Sequence, residues 1–176
     1  MFTGSPYVQF KNQPYVGGKS LDNSNGQYPD FLQKNKITNN IFIVEIKAPK
    51  SILLENSPYR NTVYSVSKEL SGAVSQLLTQ KFTLETSIAS LKHNAEDKAE
   101  MEAYNVQGLI VIGKLSELTE KPRVRSFELY RNNQKNLRIM TYDECLEQLK
   151  SFVDLLEKNS ETVRKIPDDS EIFEED

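Results

Sequence analysis

The run Ile41 to Lys47 (IFIVEIK) limits this chain most, because it is β-branched and apolar on both faces and is buried well only as a central strand of a sheet. Such a strand needs neighbours. One is the short stretch Tyr28 to Leu32, joined to it by the polar segment Asn35 to Asn40, which suits a hairpin turn. The other is Leu109 to Ile112, wholly apolar and bracketed by Gly108 and Gly113, which reads as a second buried strand. Between the two, from about Ser65 to Leu91, residues Val66, Leu70, Ala73, Val74, Leu77 and Leu78 recur at three- and four-residue spacing, the mark of a packed amphipathic helix. Strand, helix and strand in that order predict a right-handed parallel crossover. The loop Ala48 to Tyr64 contains Pro49 and Pro58 and is too interrupted to be helical throughout.

After the crossover, Pro122 stands where a first helical turn tolerates proline, with Val124, Phe127 and Tyr130 as a buried stripe, and Leu137 to Met140 reads as a further strand. Thr141 and Glu144 form a T-x-x-E capping box. The helix it opens places Cys145, Leu149, Phe152, Val153 and Leu156 on one face, which is expected to join the core. The polar run His93 to Glu102 is read as an exposed continuation of the preceding helix. Residues 1–27, rich in Gly, Asn, Ser and Pro, are read as an extended arm with a short strand around Tyr15 and Val16. Residues 28–157 are expected to form one domain, and 158–176 an acidic tail too poor in apolar residues to order itself.

Composition removes several chemistries. A lone cysteine, Cys145, precludes an internal disulfide, and a lone histidine, His93, leaves neither a zinc cluster nor a Ser/His/Asp triad. No apolar run reaches membrane-spanning length, and the start MFTGSPYVQF lacks a basic and then apolar leader, so a cytoplasmic protein without membrane attachment is expected. The net charge of −3 sits in the tail, where three Lys/Arg face seven Asp/Glu and leave the rest at +1. A near-neutral body of this kind is compatible with a local basic groove but not with strong non-specific affinity for DNA.

The feature that points to chemistry is Pro29-Asp30 followed by Glu45-Ile46-Lys47. Alternation along a strand puts Glu45 and Lys47 on one face, roughly 7 Å apart. If Asn35 to Asn40 close a hairpin, Lys34 pairs with Ile41, and the same register sets Asp30 opposite Glu45 with Cβ atoms about 5 Å apart. Two carboxylates so placed among Ile41, Ile43 and Val44 repel, and a bound cation removes the conflict. Two carboxylates with water and a backbone oxygen, for which the Ile46 carbonyl is the candidate, suit Mg²⁺, with Mn²⁺ able to substitute. Phosphodiester hydrolysis also needs charge stabilisation at phosphorus, a role open to Lys47. On the helix, Glu69, Ala73, Gln76 and Gln80 make a second stripe, so Gln76 can face the site while Leu70 and Leu77 face the core. The same spacings also arise on solvated edge strands and exposed helix faces.

VEIKAPK, then ELSGAVSQL, GLIVIG, SFELYR and IMTYDECL, in this order and spacing, resemble the nuclease domain of the Shedu family, over about Tyr28 to Lys150. The resemblance implies an α/β fold of the PD-(D/E)XK (restriction-endonuclease-like) type, a mixed central sheet flanked by helices. It implies Asp30, Glu45 and Lys47 at the catalytic positions, with Gln76 supporting them. It also implies an endonuclease that acts on phage or foreign DNA in anti-phage defence, often as a homo-oligomer, restrained or triggered by regions outside this domain. Longer members carry extensive sequence before the nuclease core where this chain has only a short arm, so a regulatory region or subunit is expected to be missing from it. The leading helix usual for the fold is not evident in the sequence.

Two readings of other classes compete with the deoxyribonuclease: a catalytically idle module of the same fold used for DNA binding or assembly, and a nuclease directed at RNA. Lys50 and Arg60, close after the catalytic strand, are the candidates for a phosphate-binding groove, whereas Lys121, Arg123, Arg125 and Arg131 are read as solvated charge. Cys145 is read as a small buried hydrophobe and His93 as a surface residue. Tyr64, Tyr130 and Tyr142 are read as ordinary packing residues. The acidic tail, if it occupied a basic groove, would inhibit the site.

Overall fold

The computed structural model describes residues 7–12, 29–94 and 100–164. Within them the chain forms a mixed five-stranded sheet flanked by helices. Its strands are β1 (Tyr7–Asn12), β2 (Phe31–Asn35), β3 (Asn40–Ile46), β4 (Glu102–Val111) and β5 (Leu137–Met140), in spatial order β1-β2-β3-β4-β5. The helices are α1 (Lys68–Asn94), α2 (Lys121–Asn132) and α3 (Tyr142–Arg164), with a 3-10 turn at Leu115–Glu117. The first three strands pair antiparallel, and β3, β4 and β5 run parallel. Among the described residues no helix is long and apolar enough to cross a membrane.

The hairpin forms in the expected register, with Lys34 opposite Ile41 and Phe31 opposite Val44. Its turn is set by Asn35, whose side-chain oxygen accepts from the backbone N–H of Ile37 (2.8 Å) and Thr38 (3.0 Å), and by Asn39, which takes a positive φ of 57°. Strand β2 begins at Phe31 and runs on to Asn35, while Tyr28 lies outside the described residues. The strand expected around Tyr15 and Val16 lies outside the described residues; the arm supplies β1, which extends the sheet beyond β2.

Helix α1 starts three residues later than its periodicity suggests, because Val66 is drawn into a bridge with Leu54 and Ser67 then caps the helix, its Oγ accepting from Leu70 N at 3.0 Å. Its inner face buries Leu70, Ala73, Val74, Leu77 and Leu84 against Ile41, Ile43, Val106, Ile110 and Ile112. Leu78, expected in the core, is exposed. Gly108 permits the close approach, since a Cβ there would lie 2.5 Å from a Leu77 methyl. Strand β4 is ten residues long and begins at Glu102, which corrects the reading of that residue as helical. Its polar N-terminal half is held by side chains: Asn40 Oδ1 accepts from Tyr104 N, and Asn40 Nδ2 donates to Tyr104 O.

Helix α2 carries Pro122 in its first turn and buries Phe127 fully, with Val124 and Tyr130 packed beside it, as expected. Arg123 donates to the carbonyls of Glu55 and Asn56 and lies over the Tyr64 ring, Arg125 donates to Thr62, and Arg131 pairs with Glu128 and Glu144. Arg123 and Arg131 therefore help hold the fold together, whereas Arg125 is exposed, as expected of solvated charge.

Helix α3 departs most from expectation. Leu149, Phe152, Val153 and Leu156, expected in the core, are about half exposed, as are Leu146 and Leu155. Amphipathic periodicity marks a face that favours burial, but it does not say what covers it. The helix also continues to Arg164, past the expected tail boundary at Lys158, because no proline or glycine intervenes. Residues 165–176, and with them the tail's expected disorder and inhibitory role, lie outside the described residues.

Candidate active site

The parallel strands end together, and the candidate residues gather there. Glu45 is the penultimate residue of β3 and is 2% exposed; its neighbour in the sheet is Ile110. Lys47 lies one residue beyond the strand, with its N–H bonded to Val111 O at 2.8 Å. The alternation expected of a strand holds through this position: Lys47 Nζ donates to Glu45 Oε1 at 2.6 Å and to Gln76 Oε1 at 3.0 Å. The helix therefore does deliver Gln76 to the E-x-K strand.

Asp30 sits just before β2 and bonds across the hairpin. Its Oδ2 accepts from the backbone N–H of Ile46, the residue between Glu45 and Lys47, at 2.7 Å. The observed register ends at Phe31 opposite Val44, one step short of the expected Asp30–Glu45 pair, and Asp30 meets the strand end through the Ile46 N–H. Lys47 thus joins Glu45 to Gln76, and Asp30 is bonded to the backbone between Glu45 and Lys47.

Glu45 carries an unresolved electrostatic debt. Oε1 is satisfied by Lys47, yet Oε2 is buried and has no hydrogen-bond partner. A buried carboxylate oxygen left unpaired is costly. Among the described residues no three or more His, Cys, Asp or Glu side chains cluster to hold a metal. A cation here would thus rest on two carboxylates, with the Ile46 carbonyl and water completing a hard-oxygen set. The orphaned Oε2 and that all-oxygen donor set fit a divalent ion of the Mg²⁺ or Mn²⁺ type.

Tyr142 belongs to this site too, and sequence reasoning missed it by reading it as packing. Its hydroxyl donates to the Lys47 carbonyl at 2.7 Å, and its N–H bonds to Gly113 O at 3.0 Å. Burial pushes the phenol up, and the nearby Cys145 and Asp30 push the same way, so it stays protonated as a donor. A signal was available: Tyr142 lies two residues past the end of β5, and residues just past the C-terminal ends of parallel strands converge.

The supports of this corner are well paired. Asp143 accepts from Leu115 N and Ser116 N. Burial opposes ionisation of Asp143, but bonds from Thr141, Leu115 and Ser116 outweigh it and hold the carboxyl far below the usual carboxylate range. Half of the expected capping box forms: Glu144 reaches back to Thr141 N at 3.0 Å. The Thr141 hydroxyl, however, donates to that same carboxylate at 2.8 Å instead of accepting from the helix.

Lys50 and Arg60 are both exposed, Lys50 in the turn after Lys47 and Arg60 in a loop bridged to Val63, and no described bond joins either to the four site residues. Cys145 is only partly buried. The His93 side chain lies outside the described residues. Gln80, one turn beyond Gln76, is fully buried with neither amide atom partnered, which its place on a polar stripe did not suggest.

Residues 3–146 of the chain match the family described as Shedu protein SduA, C-terminal. The Shedu protein SduA of Bacillus cereus (strain B4264) is 35% identical over 156 residues, which cover 87% of this chain and 41% of that relative. The chain thus spans about two fifths of the length of the curated relative it matches. Asp30, Glu45, Lys47, Gln76 and Tyr142 all lie within the family match.

Proposed function

The chain belongs to the Shedu family, and from that premise we propose that it is a divalent-metal-dependent nuclease of the PD-(D/E)XK type that hydrolyses DNA phosphodiester bonds in defence against phage. One observation carries the reading. A buried glutamate with an orphaned oxygen stands beside a lysine held by that glutamate and by Gln76, and an aspartate is bonded to the backbone between them.

Asp30, Glu45 and the Ile46 carbonyl would hold the ion. When bound, it activates water and withdraws charge from the phosphate. Lys47 has a distinct task. An ammonium has three N–H donors, and two are committed to Glu45 and Gln76, so the third is available to a non-bridging phosphate oxygen. Gln76, which accepts from Lys47, fixes where that donor points. Charge on the phosphate oxygens rises as the water oxygen bonds to phosphorus and the bond to the leaving sugar oxygen breaks, so a fixed ammonium favours the transition state over the bound substrate. Lys50 and Arg60 are proposed to contact the DNA backbone from the loops that follow.

The exposed apolar face of α3 supports assembly into a homo-oligomer. More than half of the curated relative lies outside the matched region, which supports a regulatory part carried elsewhere. The same face of α3 is the observation that favours the competing reading, an idle module kept for assembly or DNA binding.

Purified chain incubated with a panel of linear, nicked and supercoiled DNA and Mg²⁺ decides between them. The nuclease reading expects cleavage that is lost in Glu45→Ala and Lys47→Ala. Cleavage retained in both variants refutes it, and DNA binding without turnover favours the idle module.

A further inference from the structure

We propose that Tyr142 is a positioning residue for the Lys47 ammonium, acting through the Lys47 backbone rather than on substrate. The inference rests on the nuclease reading of the site.

Lys47 lies just past the end of its strand. Strand β3 ends at Ile46, so the sheet ladder stops one residue short of it. Its N–H is taken by Val111 O, and its carbonyl by the Tyr142 hydroxyl 95 residues away in sequence. These two bonds fix the peptide planes on either side of the Lys47 Cα, and through them the direction in which the side chain leaves the strand. The ammonium then has only to meet Glu45 and Gln76 from a backbone already set.

The other end of the strut is equally fixed. Tyr142 N is bonded to Gly113 O, Asp143 is bonded to the 3-10 turn, and Glu144 returns to Thr141 N. A tyrosine ring has two side-chain torsions, so a bond at its tip transmits the position of the α3 first turn with little slack. The loop after Lys47 rests on the same corner: Ala48 O accepts from Ser51 N at 3.0 Å and from Gly113 N at 3.4 Å.

Removing the hydroxyl alone leaves the ring in place and one partly buried carbonyl unpaired, which confines the damage to Lys47 and the loop behind it. The cation ligands are untouched. A loosened ammonium lowers turnover without weakening ground-state binding, because its contact with phosphate matters most in the transition state.

The test is Tyr142→Phe in the full chain, with three readouts. Amide exchange over residues 47–51 is expected to accelerate several-fold while the melting temperature stays within about 3 °C of the parent. The kcat for DNA cleavage is expected to fall roughly five- to tenfold with KM unchanged. The Mn²⁺-induced rise in melting temperature is expected to persist, since no ligand has been removed. An active parent matched in kcat by Tyr142→Phe overturns the positioning role, as does a loss that appears in KM alone. Unchanged exchange over 47–51 overturns the strut itself. A parent chain that does not cut DNA fails the nuclease reading instead, and the exchange measurement still decides separately whether the strut exists.

Discussion

Gly113→Ala is a perturbation whose size can be worked from the structure. Gly113 has a φ of 58°, in the left-handed region, where a residue with a Cβ is strained by roughly 1–2 kcal/mol. Space is short as well. An added Cβ would lie 2.5 Å from Ser51 O and 2.9 Å from Leu53 Cδ2, and Leu53 is 3% exposed. The oxygen is backbone and cannot rotate away, so the loop behind Lys47 must shift, a form of overpacking that typically costs about 1–3 kcal/mol. Together these give a destabilisation of about 3 kcal/mol, or roughly 6–12 °C in melting temperature for a chain of this size. Gly72→Ala is the matched control, since it lies within α1 with nothing within 4 Å of its Cβ position. It is expected to stabilise by about 1 kcal/mol through helix propensity alone. Urea denaturation of both variants measures the two shifts. Equal stability of Gly113→Ala and the parent, or shifts of the same sign in both variants, refutes the reasoning.

Two further expectations concern stability. Gln80→Met replaces a fully buried amide lacking partners with an apolar side chain of similar length, and is expected to stabilise by roughly 1–2 kcal/mol in denaturant titration; destabilisation would mean the amide is satisfied after all. Asp143 has its carboxyl depressed on folding, so the unfolded chain binds more protons in acid. Its contribution is fully present above the unfolded value of about 4 and is lost as pH falls below it. Asp143→Asn should therefore lower stability at neutral pH and flatten the fall in stability below about pH 4, and an acid limb as steep as the parent's would count against it.

What could be read from the sequence was whatever local chemistry determines. The β2–β3 register followed from a polar stretch between two apolar ones, and Asn35 and Asn39 supply the turn geometry that fixes it. The central place of β3, the core stripe of α1 and the stripe of α2 around Phe127 followed from the apolar pattern, although Ile46 on the second face of β3 is exposed. Strand alternation and helix spacing brought Glu45, Lys47 and Gln76 together, and the hairpin brought Asp30 to the backbone between Glu45 and Lys47. The first half of β4 was hidden because its support is remote: Asn40 side-chain bonds hold Tyr104, and no apolar alternation announces the strand. The exposed face of α3 carries the same pattern as a core helix, and only a packed structure distinguishes the two. Tyr142 was misread for a related reason. Its partner carbonyl is distant in the chain, and nothing in Thr141-Tyr142-Asp143 shows which strand end it meets.

The central claim is that Asp30 and Glu45 are placed together to share a divalent ion, with Lys47 alongside for the phosphate. Calorimetric titration of Mn²⁺ into the parent chain, Asp30→Asn, Glu45→Gln and Lys47→Met tests it without relying on turnover. The account predicts saturable binding by the parent and a loss of at least about tenfold, or roughly 1.4 kcal/mol, in each carboxamide variant. Binding by Lys47→Met should be equal or tighter, because a positive charge has been removed from beside Glu45. Identical isotherms for the parent and the two carboxamide variants, or no binding by the parent, would contradict it.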